Sequence, residues 1–146
     1  MPTKLGATVA IIEENLLPAP GDAAKLESLV RHALTAEKRT GEWEISIALV
    51  SDDELRGLHR DFMGLDSVTD IMTFPYGGDA LGGDIAISVD RAAEQAPEFG
   101  LSAWEEIRFL AVHGVLHLCG WDDGNDEARR RMLARQAEIV ESWELA

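Results

Sequence analysis

The 146-residue sequence is poor in two residue classes, and each shortage excludes something. It holds one cysteine, Cys119. A single thiol rules out an internal disulfide framework and fits a reducing compartment. Basic residues are also scarce, with 13 Lys+Arg against 27 Asp+Glu and a formal charge of −14. A protein that coats DNA or an anionic membrane needs a broad cationic face, and this composition runs the other way. Only a small local basic cleft survives that exclusion. No stretch approaches the roughly 18–20 apolar residues of a membrane span. The apolar run from Val9 to Leu17 is interrupted by Glu13 and Glu14, so it reads as neither span nor signal peptide. Repeats and low-complexity tracts are missing as well. A cytoplasmic protein with no membrane or DNA partner is the expectation.

What is present is a globular pattern. Hydrophobic residues make up 46% of the chain. The length suits a single domain over residues 1–146. Strand-like segments fall at Thr8–Glu14, Trp43–Val50, Ile71–Phe74 and Asp84–Ser88. Gly77-Gly78 through Gly82-Gly83 reads as a flexible loop before the last of these. Helices are predicted from Ala23, capped by Asp22, to about Lys38; from the capping box Ser51–Glu54 to about Phe62; from Asp90 to about Phe99; from the capping box Ser102–Glu105 to Leu118; and from Asp126 to about Trp143. The fourth helix is apolar from Ile107 to Leu118 and should lie centrally in the core. The predicted class is α+β, with a small mixed sheet packed by helices around that central helix.

That helix carries the chemistry. His113 and His117 lie four residues apart, so both imidazoles project from one face about one turn apart and can share a metal. Gly120 suits the helix-ending turn, and Asp123 follows six residues after His117. This is the spacing of the extended zincin pattern, in which a third ligand follows the glycine. Asp122 is the alternative carboxylate. Gly114 stands where HExxH proteases carry their glutamate base, which weakens a protease reading. Cys119 reads as a small buried residue, His32 as structural, and the arginines Arg129, Arg130, Arg131 and Arg135 as a solvated face.

The stretch His113-Gly114-Val115-Leu116-His117-Leu118-Cys119-Gly120-Trp121-Asp122-Asp123 resembles the HGxLHLxGYDH signature of the YbeY family. Leu58-His59 through Gly64-Leu65-Asp66-Ser67-Val68-Thr69-Asp70-Ile71-Met72-Thr73-Phe74-Pro75 is similar to that family's LNxxYRGxDxPTDVLSFP block, and Leu81–Ser88 to its LGDIxIS strand. The resemblance extends over roughly residues 50–140, in the family's order. It implies a single-domain, zinc-dependent, single-strand-specific endoribonuclease. Such an enzyme acts in 16S rRNA 3′-end maturation and ribosome quality control, with rRNA and small-subunit components as partners. On that resemblance His113, His117 and Asp123 hold one Zn²⁺ per chain, other divalent transition metals being possible, and a metal-activated water hydrolyses the phosphodiester.

The departures bear on chemistry. Asp123 replaces the histidine of the family pattern, so a Zn²⁺ held there keeps a net charge of +1 instead of +2 and acidifies its water less. Met63 replaces an arginine the family uses at the substrate phosphate; Arg60 or His59 would have to supply that cation, and Arg60 is taken as the catalytic candidate. Two other readings follow from these departures: a ribosome-associated assembly factor with an attenuated or structural metal site, and a metallohydrolase with another substrate.

Overall fold

Alternation explains the sheet. Along the strand Gly41–Val50, Trp43, Ile45, Ile47 and Leu49 are buried while Glu42 and Glu44 are exposed, so one face turns inward. In the computed structural model, which describes residues 4–65 and 69–146, this strand is β2. Its neighbours are β1 (Leu5–Ile12), β3 (Ile71–Pro75) and β4 (Leu81–Ser88), in the order β1-β2-β4-β3. Strands β1, β2 and β4 run parallel, and β3 closes one edge antiparallel to β4. Asp66, Ser67 and Val68 of the family-like block lie outside the described residues.

Five α-helices complete the described residues: α1 (Asp22–Ala36), α2 (Asp52–Met63), α3 (Val89–Gln95), α4 (Ala103–Leu118) and α5 (Asp126–Leu145). Helices α1, α4 and α5 share a core with the inward sheet face, built on Leu26, Leu29, Ile47, Ile85, Val112 and Met132. On the other face, Leu55 of α2 packs with Val50, Met72 and Ala86. The α+β expectation, with a mixed sheet around a central helix, holds. Among the described residues no helix is long and apolar enough to cross a membrane.

Both capping boxes form. Ser51 Oγ accepts from the Glu54 amide at 3.2 Å, and Ser102 Oγ from the Glu105 amide at 3.1 Å. Each glutamate accepts the N–H of its serine in return. The Ser102 bonds also hold the Glu105 carboxyl below its ordinary range. Four boundaries differ from expectation, each for a physical reason. Strand β1 starts and stops earlier, because Glu13 takes a left-handed φ of 62° and turns the chain. Gly21 occupies the cap of α1, while Asp22 accepts the Ala19 amide from within the first turn. The third helix ends at Gln95, and Ala96–Phe99, which contains Pro97, forms a 3-10 turn. Gly82 and Gly83 belong to β4 rather than to a loop. Gly82 has φ 116° opposite Glu44, and a Cβ there would stand 1.9 Å from the Glu44 carbonyl oxygen. The glycine is what lets β4 run alongside β2 at that point.

Gly114 has an equally close neighbour. A Cβ on it would come within 2.8 Å of Ile85 Cδ1, so α4 lies directly against β4 at this residue. At the position of the HExxH glutamate the Ile85 side chain packs against the helix backbone, and a larger residue would have to displace it.

Among the described residues four buried side-chain atoms have no hydrogen-bond partner: the Nε atoms of Arg39, Arg91 and Arg108, whose guanidinium groups bond elsewhere, and one carboxylate oxygen. Glu106 on α4 is 6% exposed, and its Oε2 makes no hydrogen bond among the described residues. Burial raises its pKa, and the neighbouring Asp70 carboxylate raises it further. A carboxyl favoured in its neutral form by the fold costs stability that is fully expressed above its raised pKa, declines as pH falls below that value and is gone below its ordinary pKa. Glu106→Gln should therefore stabilise the protein by about 1 kcal/mol at pH 8, or about 3 °C in Tm, with the gain shrinking to nothing on acidification. Calorimetric melting of both proteins from pH 8 down to pH 4.5 measures this directly.

Candidate metal centre

The end of α4 and the turn after it create the site. Cys119 ends the helix, and Gly120 follows at φ 100°. The Gly120 amide bonds the His117 carbonyl at 3.0 Å and the Trp121 amide bonds the Leu116 carbonyl at 3.0 Å, a Schellman turn. Reversing the chain there brings Asp123 back over the helix face that carries His113 and His117.

The turn is clamped from outside. Glu37, after α1, accepts the Trp121 indole N–H at 2.6 Å and the Arg135 guanidinium of α5 at 2.8 Å. Arg135 also bonds the Ala36 carbonyl at 2.9 Å, and the Glu37 carboxylate raises its pKa. Arg39 donates to the Cys119 carbonyl at 2.7 Å. Of the arginine run on α5, Arg129 and Arg131 pair with Asp126 and Glu127 on the exposed face as expected. Arg135 is different: it belongs to the clamp.

Three electron-rich atoms meet in front of the turn. His113 Nε2 and His117 Nε2 are 3.1 Å apart, and Asp123 Oδ2 lies 3.3 Å from the first and 3.5 Å from the second. Two ligands on a tetrahedral zinc, at bonds of ~2.0–2.1 Å, stand about 3.3–3.4 Å apart. The triangle therefore matches one face of such a tetrahedron. The tautomers agree with it. His117 Nδ1 is 3.0 Å from the Trp121 carbonyl oxygen, which can only accept, so this nitrogen carries the proton. His113 Nδ1 faces Gln136 Oε1 of α5 at 3.0 Å in the same sense. Both Nε2 lone pairs then point at a carboxylate oxygen, an arrangement that a cation satisfies. The donor set fits a divalent metal.

Asp123 rather than Asp122 completes the group, since Asp122 turns away to accept the Gly124 amide at 3.0 Å. Cys119 is outside it. Its thiol is pushed up to about 11, chiefly by burial, and it serves as packing. His32 bonds Ser142 at 2.7 Å between α1 and α5, a structural role as expected. Arg60 is not brought to the triad; it is exposed on α2 with Nε 3.4 Å from Asp61 Oδ1. His59 and Met63 do line the cavity in front of the metal group, together with Phe62, Asp70 and the length of β3, in a volume of about 720 Å³. Sequence reading missed Gln136 and Glu37. Neither belongs to a motif, and each reaches the site from a distant segment of the chain.

Comparison with known proteins agrees with the geometry. The sequence model of a family described as Endoribonuclease YbeY matches residues 14–144. A relative named Endoribonuclease YbeY in Moorella thermoacetica is 40% identical over 128 residues, covering 79% of this chain and 82% of its own. Another of that name in Lysinibacillus sphaericus is 34% identical, covering 94% of this chain and 96% of its own. The solution structure of TM1509 from Thermotoga maritima superposes with a TM-score of 0.68 at 28% identity, over 93% of this chain and 89% of that one.

The hydrogen bond behind His113 is testable. Gln136→Ala frees the imidazole to rotate and should lower Zn²⁺ affinity by about 10- to 100-fold, while Asp122→Asn, remote from the triangle, leaves it unchanged. Competition against a chromophoric chelator reads both.

Proposed function

The chain belongs to the endoribonuclease YbeY family, a family of RNA-cleaving hydrolases of rRNA processing, and on that premise we propose that it cuts single-stranded RNA in 16S rRNA 3′-end maturation and ribosome quality control, using Zn²⁺ held by His113, His117 and Asp123. The observation that carries this reading is the triangle of Nε2, Nε2 and Oδ2 atoms opening into the cavity along β3. A divalent ion bound there supplies Lewis acidity to a phosphate oxygen and a more acidic water.

The chain's own residues do the positioning. Gln136 and the Trp121 carbonyl hold each imidazole in the tautomer that leaves Nε2 free to bind. Asp123 adds a negative charge beside the two neutral rings, which makes this a less electrophilic centre than one of three histidines. With Gly114 packed on Ile85 at the place of an HExxH glutamate, the site has no carboxylate base at residue 114, and peptide hydrolysis of the zincin type is disfavoured. Arg60 is read as a contact for a phosphate flanking the cut: its exposed pair with Asp61 is worth little and opens readily to a new partner. Partners among rRNA and small-subunit components and a cytoplasmic location go with this reading.

A second reading rests on Met63. It is 61% exposed on the cavity wall at the place of the family's arginine, which favours an assembly factor with an attenuated site. One experiment separates the two. Metal-loaded protein is incubated with a 16S 3′ precursor and with an unstructured oligoribonucleotide, beside a chelator control and His117→Ala. Cleavage lost in both controls is the expected result. Intact RNA with retained binding to small subunits supports the assembly factor, and cleavage that survives both controls overturns the metal site. Arg60→Ala should raise KM by roughly threefold, in line with one exposed phosphate contact, and initial rates against RNA concentration check it.

A further inference from the structure

The metal triangle accounts for one phosphate, and the cavity beyond it is built for something else. Its wall at the end of α2 carries Phe62, 66% exposed, and Met63, 61% exposed. Phe74 of β3 stands edge-on to Phe62, with ring centroids 5.4 Å apart and planes at 70°. That contact props the Phe62 ring from one side and leaves two-thirds of the residue open to solvent.

The charges lining the same cavity are of the wrong sign for a nucleic-acid backbone. Among the described residues it has no lysine or arginine; beyond the metal group its titratable residues are Asp70 and His59. The whole chain carries −14. A groove that tracks a strand by its phosphates is lined with cations, whereas a base is uncharged and stacks on any aromatic face. Single-stranded RNA entering this cavity is therefore driven to turn its bases inward and its phosphates to solvent, apart from the one at the triad and the flanking one that Arg60 meets outside the cavity.

We infer that Phe62, propped by Phe74, is a stacking platform for an unpaired base beside the scissile phosphate, so that the protein grips its substrate by bases more than by backbone. This inference rests on the endoribonuclease reading above and adds the means by which that substrate is held. It also accounts for a requirement for single strands: a base held within a duplex has no free face to offer Phe62.

The test uses the metal-loaded protein and a short unstructured RNA with one cut site. Phe62→Ala should raise KM about 10-fold, within the range of one lost stacked base, with kcat changed by less than about threefold; Phe62→Trp should restore KM. Replacing the base next to the cut by an abasic nucleotide should produce the same loss in the wild type and no further loss in Phe62→Ala. Binding should weaken with a log–log salt slope no steeper than about −1.5, the signature of at most two neutralised phosphates on a single strand. An unchanged KM in Phe62→Ala, independent losses from the abasic and Ala changes, or a slope steeper than about −1.5 would overturn the platform. A wild type that cuts no RNA overturns the endoribonuclease reading alone. The platform is then judged by equilibrium binding of the same RNA, where Phe62→Ala must weaken affinity and Phe62→Trp must not. Phe62 is exposed, so unchanged melting temperatures verify that the variants remain folded.

Discussion

The approach of α4 to β4 at Gly114 is the constraint from which the rest of the molecule follows. A Cβ on Gly114 would press on the Ile85 side chain, 2.8 Å from its Cδ1 and 3.0 Å from its Cγ2. Bringing the helix so close buries Ile107, Ala111, Val112, Val115 and Leu116 to 1% exposure or less. Burial of each larger side chain among them contributes about 1.5–3 kcal/mol, which holds α4 firmly in the core. The histidines sit on its remaining face, toward the β3 edge, so the metal group inherits the rigidity of the core instead of the mobility of a loop.

The third ligand needed a different solution, because Asp123 lies in a loop beyond the helix end. Its position is enforced by the Schellman turn at Gly120 and by the Glu37 carboxylate, which binds the indole of Trp121 and the guanidinium of Arg135 at once. Glu37 thereby ties α1, the α4 turn and α5 at a single carboxylate. Farther along α5, the Arg108 guanidinium lies between Trp104 and Trp143 and pairs with Glu144 at 2.6 Å, fixing the same helix a second time. Helix α5 buries Met132, Ile139 and Val140 in the core, and these polar anchors act with them to hold the register that puts Gln136 behind His113.

Features set by near neighbours were legible in the amino-acid order. The two capping boxes, the i, i+4 histidines and the helix-ending glycine each depend on residues within six positions, and each forms as read. Features set across the chain were not. Gly82-Gly83 looks like a loop because its reason to be a strand is the carbonyl of Glu44, almost forty residues away and in a parallel partner. Arg135 looks like one more solvated arginine until Glu37 is placed beside it. Gln136 has no motif, and a glutamine on a charged helix gives no sign of a buried imidazole across from it. The α+β class survived these local errors because the alternation of β2 and the apolar length of α4 already demanded a sheet with a helix laid on it.

The order in which the donors occur along the chain has a consequence for folding. Phe62 and all four strands of the sheet precede His113, His117, Asp123 and the supporting Gln136. The carboxamide that orients His113 is carried by α5, so a sheet that has already formed still holds no organised metal centre. The centre is completed only when α5 docks on α4.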